Sequence, residues 1–166
     1  MGYQLIEHIE VGSGGTSSLV VSDIPQTGQD LLILNSLRSS KAVGRCFITY
    51  NNDGSNQNYL YLTGNGSTSS SSSGTASSEN DLAAYSDATA NTFSSSSVYI
   101  SGYASSANKS ISTDSVTENN GTFAEARITA ANYNSSSPIT TFSISIAASS
   151  LIVEGSTCSI YMITAD

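Results

Sequence analysis

Phe142-Ser143-Ile144-Ser145-Ile146 alternates an apolar with a polar side chain at every step. Successive side chains of an extended chain point to opposite faces. Phe142, Ile144 and Ile146 therefore share one face, and Thr141, Ser143 and Ser145 the other. The stretch reads as a strand with one side in a core and one in water. Cys158, Ile160 and Met162 repeat the pattern, which turns Cys158 inward as a small apolar side chain rather than a reactive thiol. The same period, or a short apolar run, recurs at 3–11, 18–22, 30–38, 45–50, 59–62, 93–102, 109–117, 122–131, 139–147, 150–154 and 157–164. In the first of these Leu5, Ile9 and Val11 fall on one side. Leu31-Leu32-Ile33-Leu34 is apolar on both faces, which predicts a central strand covered on both sides. Asp53-Gly54, between 45–50 and 59–62, is a hairpin cue, and so is Asn120-Gly121, between 109–117 and 122–131. Many short strands with polar turns predict an all-β antiparallel sandwich or barrel. Asp81-Leu82-Ala83-Ala84-Tyr85 suits at most one turn of helix.

The composition narrows the function. The chain has 166 residues, enough for one domain, 1–166, with its own core. Serine (36) and threonine (16) make up nearly a third of it, while charged residues are only 11% and the net charge is −8. A typical domain carries about 25% charged residues, so this one is polar without being charged. Five Lys plus Arg cannot furnish a coiled coil or a basic nucleic-acid face. No apolar run approaches the length of a membrane span, and residues 1–8 lack the pattern of a secretory signal. The aromatic and aliphatic content argues against disorder. Cys46 and Cys158 stand far apart and read as two reduced, buried thiols. The 63–80 stretch, TGNGSTSSSSSGTASSEN, has no large apolar side chain and reads as a long Ser/Gly-rich surface loop.

The residue types that carry chemistry point away from catalysis. His8 has no second histidine with which to share a metal and no paired nucleophile. Gly12-Ser13-Gly14-Gly15-Thr16 precedes a strand-like run rather than the helix a phosphate cradle needs. Residues 51–56 lack the carboxylates of a calcium loop and read as a turn. Glu118, Glu125 and Glu154 are scattered near strand ends as solvated carboxylates, a glycosidase pair being the alternative. No catalytic, cofactor or metal residue is assigned. Arg38, Lys41 and Arg45 form a basic island, suited to an acidic edge on another subunit or to guarding a strand edge. Tyr59 and Tyr61 share one strand face opposite Leu60 and Leu62, and Tyr99 opposes Val98 and Ile100. If the aliphatics face the core, these tyrosines face outward, either as an interface or as cover for a sheet within the monomer.

Taken in order, Tyr3-Gln4-Leu5-Ile6-Glu7, the Gly12 to Gly15 turn, SDIPQTGQDLLILNSLRSS at 22–40, NTFSSSSVYISGYASSANKS at 91–110 and DSVTENN at 114–120 resemble small virion proteins of tailed bacteriophages of the cyanophage and marine-phage type. The resemblance implies a jelly-roll-like β-sandwich built into the virion, as a capsid decoration (cement) protein or a fibre or tail part. It supplies no catalytic residues. The leading expectation is a decoration protein, a homotrimer at three-fold or quasi-three-fold positions. It would be made in the host cytoplasm and bound to the major capsid protein on the capsid surface, with neither nucleic acid nor membrane as partner. The alternative is an appendage protein binding a host surface glycan, with Tyr59, Asn56 and Asn58 as the nearest candidate site.

Overall fold

The computed structural model describes residues 2–75, 79–118 and 124–165. Twelve strands follow one another: β1 (Gly2–Glu10), β2 (Ser18–Val21), β3 (Asp30–Ser36), β4 (Arg45–Tyr50), β5 (Gln57–Gly64), β6 (Ser69–Thr75), β7 (Glu79–Leu82), β8 (Ser95–Ile100), β9 (Lys109–Glu118), β10 (Ala124–Tyr133), β11 (Phe142–Ile146) and β12 (Thr157–Thr164). They form an eight-stranded sheet, β1-β12-β3-β8-β9-β10-β5-β6, and a four-stranded sheet, β2-β11-β4-β7. Every pairing within the sheets is antiparallel. The sheets pack as an unclosed β-sandwich, consistent with a jelly-roll-like fold, and the chain passes repeatedly from one sheet to the other.

The alternating segments behave as their period dictates. Phe142, Ile144 and Ile146 are buried while Ser143 and Ser145 are half-exposed. With Leu31, Ile33, Ile48, Tyr50, Val98, Ile100, Ile160 and Met162 they fill the space between the sheets. Cys46 and Cys158 are free thiols in that core. Burial pushes the Cys158 thiol up to about 12, which keeps it protonated and unreactive.

Several sequence-based expectations need correction. The described residues of the 63–80 segment are mostly strand rather than loop. Asn65-Gly66-Ser67-Thr68 makes a turn in which Gly66 takes a positive φ and Asn65 Oδ1 accepts from the Ser67 and Thr68 amides. β6 then runs back along β5 in unbroken register, and β7 begins at Glu79. The ordering cost is met by main-chain bonds to β5 rather than by buried side chains. Asp53-Gly54 makes no hairpin either. Asn51 and Asn52 adopt the left-handed conformation (φ 51° and 57°), and the chain then leaves β4 for the other sheet. β4 is already paired on both sides, with β11 and β7, so it has no edge to offer β5.

Residues 81–85 end a strand instead of forming a helical turn, held by amides of Ala83 and Ala84 on the carbonyls of Gly44 and Leu37. The 150–154 run contributes only isolated bridges at Ser150 and Ile152, because Ala148, Ser149 and Gly155 turn sharply on either side. In β1 a bulge between Leu5 and Glu7 reverses the face of the strand, so Leu5 is exposed while Ile6 and Ile9 lean on the core. β3 is central as expected, but its second face is not covered by this chain: Leu34 is exposed. The expected Asn120-Gly121 turn lies outside the described residues.

Candidate interaction face

Polar groups fill the interior beneath one end of β9 and β10, whereas Ile111 and Tyr133 towards the other end of these strands join the apolar core. Thr113, Ser115 and Thr117 of β9, Arg127 and Thr129 of β10, and Ser96 of β8 are all buried on the inner face. β7 lies over them and brings two carboxylates, Glu79 and Asp81, into the interior. Arg127 Nη1 donates to Glu79 Oε1 at 3.0 Å, and Arg45 approaches the other oxygen at 3.4 Å. The Arg127 guanidinium also lies 4.0 Å over the ring of Tyr61, a cation–π contact. Asp81, fully buried, accepts from Asn35 Nδ2 (2.9 Å), Ser96 Oγ (2.8 Å) and the Leu82 amide.

Burial pushes the Asp81 carboxyl up to about 6, although its hydrogen bonds and Arg127 pull the other way. An acid raised above its unfolded value favours the folded state only while protonated. Its share of stability is therefore present below about pH 4 and lost as pH rises towards 6. Asp81→Asn is expected to flatten this segment of the stability profile. The check is urea unfolding of both proteins between pH 4 and 7; equal slopes would refute the assignment.

The outer face of β5 and β10 is correspondingly apolar. With Arg127 and Thr129 inward, Ile128 must point out, and it stands directly opposite Leu62 of β5. Leu60, Leu62 and Ile128 are 54%, 60% and 64% exposed. Ala126, Ala130 and Val116 extend the patch along β10 and onto β9. Burying such an aliphatic side chain is worth about 1.5–3 kcal/mol, a gain this chain forgoes three times in one place. Beside Leu60 the small side chains of Ala130 and Ser73 leave a shallow depression of about 370 Å³, flanked by Asn58, Thr75 and Asn132. A second apolar area, with exposed Tyr3, Leu5, Leu34 and Tyr99, lies across β1, β12, β3 and β8 of the same sheet. Ser112 and Asp114 of β9 stand between the two areas. The outer face of the four-stranded sheet is mixed: Ser143, Ser145 and Thr49 lie there beside Phe47 and the exposed Val20.

The predicted interface residues are scattered by this arrangement. Tyr59 and Tyr61 face inward, the reverse of the orientation that core-facing leucines would impose. Their rings stack 6.1 Å apart, and Tyr59 lies so close over Gly74 that a Cβ there would meet the ring at 2.7 Å. The cause is the register with β10, which sets Tyr61 on the Arg127 side and Leu62 on the Ile128 side. Tyr99 does face outward, and its hydroxyl donates to Asp30 Oδ2 at 2.6 Å. Arg38 gives its guanidinium to the carbonyls of Ser86, Ala88, Thr89 and Thr92, clasping the 86–92 loop. Lys41 Nζ donates to the Ala148 carbonyl, and Arg45 pairs with Glu79. The basic island is thus spent on contacts within the chain.

Among the other residues singled out in the sequence, His8 is exposed and 2.7 Å from Ser159 Oγ. Glu125 accepts from the Tyr85 hydroxyl and Glu118 from the Thr92 hydroxyl. Asn56 bonds to Asp53, and Asn58 and Tyr59 both line the depression beside Leu60, with the Tyr59 ring stacked on Tyr61. Among the described residues no three of His, Cys, Asp and Glu are grouped to hold a metal ion.

The sequence reading missed Leu60, Leu62 and Ile128 as surface residues and Glu79, Asp81 and Arg127 as interior ones. The available signal was Arg127-Ile128-Thr129 alternating against Leu60-Tyr61-Leu62, which admits either phase. No family model matches the chain, and no curated protein or solved structure matches it either.

Proposed function

We propose that this protein is a virion structural protein, a capsid decoration protein whose work is adhesive rather than catalytic. It grips the shell through the outer face of its eight-stranded sheet. One observation supports this reading above the others: the β5–β9–β10 corner is inverted, with arginine, threonine and serine inside and leucine, isoleucine and valine outside. Contiguous exposed apolar patches mark interaction sites. Here the aliphatic surface gains its burial only when a second surface covers it. The neutral patch is framed by Asp114 and Glu118, an arrangement in which the apolar centre supplies affinity and the acidic rim selects a basic or neutral partner.

Leu62→Asp and Ile128→Asp test the reading directly. Both positions are exposed; Ile128 stands opposite Asp114, so its variant adds a cross-strand repulsion, and circular dichroism checks that each variant is folded before its binding is read. Each is expected to weaken binding to undecorated heads by roughly tenfold or more, because an unpaired carboxylate in an apolar contact costs well over about 1.4 kcal/mol. Copies bound per head, counted after co-sedimentation, read the result. Undiminished binding by both variants would refute it, and saturable binding to a host glycan with none to heads would put the appendage reading in its place.

A further inference from the structure

Open strand edges present unpaired N–H and C=O groups, and natural proteins blunt them with charge, proline, a bulge or short length. Among the described residues, three of the four sheet edges are blunted. β1 carries its bulge together with Glu7 and Glu10. β2 and β7 have four residues each, and the pairing of β7 with β4 slips between Cys46 and Phe47. β6 has none of these defences. It runs seven residues, Ser69–Thr75, in register with β5 throughout, and contains neither charge nor proline. The sequence from Gly54 to residue 78 holds no charged side chain at all, in a chain of net charge −8.

The hairpin fixes which groups of β6 are free. The Asn65 amide donates to the Thr68 carbonyl at 3.2 Å and closes the turn. Antiparallel pairs alternate between bonded and non-bonded positions. Ser70, Ser72 and Gly74 therefore bond to β5, while Ser69, Ser71, Ser73 and Thr75 turn their backbone N–H and C=O groups outward.

We propose that β6 pairs antiparallel with β6 of a second copy of this chain, about a two-fold axis at Ser72. In that register Ser71 of each copy faces Ser73 of the other, and Ser69 faces Thr75, so outward groups meet outward groups along the whole strand. Facing serine hydroxyls add cross-strand hydrogen bonds. A second copy suits this edge because the acidic surface elsewhere repels its like, whereas the β5–β6 hairpin is neutral and self-complementary. The pairing leaves Leu60, Leu62 and Ile128 uncovered and sets the two apolar patches on one side of a continuous sheet. It stands independently of what those patches bind. It also gives a dimer, where the leading expectation from the sequence is a trimer.

Sedimentation equilibrium of the full chain over a concentration series tests the pairing. The expected mass rises towards twice that of the monomer. Ser71→Pro removes an outward N–H and none of the bonds to β5, and Ser73→Lys adds the charge that edges usually carry. Each is expected to weaken the dimer by roughly tenfold or more, with circular dichroism and thermal midpoint unchanged. If proline disturbs the fold, Ser73→Lys alone decides. A monomer at every concentration, or an oligomer of any size that the folded variants leave intact, would overturn the proposal.

Discussion

Arg127→Ala is expected to destabilise the protein by about 3–5 kcal/mol, the cost of leaving one member of a buried ion pair uncompensated. Arg127 is 4% exposed and Glu79 5%. Without the guanidinium, the carboxylate of Glu79 keeps only Arg45, whose side chain is 58% exposed and 3.4 Å away. Tyr61 loses its cation, and Asp81 loses a charge that holds its proton affinity down. A domain is stable by only about 5–15 kcal/mol, so the variant will be marginal. Urea unfolding checks the value. Removing the pair together, as Arg127→Met with Glu79→Gln, should cost much less than Arg127→Ala, because no ion is then stranded. Equal losses in the two proteins would mean that the charge is not what matters at this site.

Lys109→Met is expected to lower the thermal midpoint by roughly 6–12 °C, the equivalent of about 3 kcal/mol for a chain of this size. Lys109 opens β9 with its side chain fully buried. Its ammonium donates to three carbonyls, of Ser105 (3.0 Å), Ser135 (3.0 Å) and Ser137 (2.6 Å), tying the loop before β9 to the loop after β10. Methionine matches its reach and keeps the packing, but leaves those acceptors without a donor. Each hydrogen bond to a charged group is worth about 1.5–3 kcal/mol. Burial lowers the pKa of Lys109, so desolvation of the ammonium opposes the gain from these bonds. Hydrogen exchange of the 104–108 and 135–139 amides should quicken along with the fall in midpoint. A midpoint within about 2 °C of the parent would show that the two loops hold without it.

The sandwich was legible wherever apolar residues alternated with serine. β11 sits where its period puts it, because serine on one face and phenylalanine or isoleucine on the other admits a single phase, and β12 and β8 follow the inward phase of Cys158, Ile160 and Met162 and of Val98 and Ile100. The β5–β10 corner was not legible for the complementary reason. Leu60-Tyr61-Leu62 is amphipathic in neither phase, and its orientation is decided by Arg127, a residue from a distant strand whose burial depends on Glu79. β6 was missed because its serines carry no side-chain signal; its strand character comes from the register of β5. Asp53-Gly54 misled because a hairpin needs a free edge as well as a turn, and β4 has no free edge. The candidate interaction face was therefore hidden in the sequence: Tyr59 and Tyr61, which suggested contact, are turned inward while Tyr99 faces out, and the leucines of β5 that suggested core are turned out.

β12 lies between β1 and β3, and β11 between β2 and β4. Each sheet thus receives a strand from the end of the chain into a gap bounded by strands from its beginning. On the ribosome, the four-stranded sheet cannot close until residues 142–146 have emerged, nor the eight-stranded sheet until residues 157–164 have, so β1 to β4 wait with adhesive flanks exposed. Zipping such distant partners is slow, and this serine-rich, sparsely charged chain therefore spends its most aggregation-prone interval before its last strand arrives.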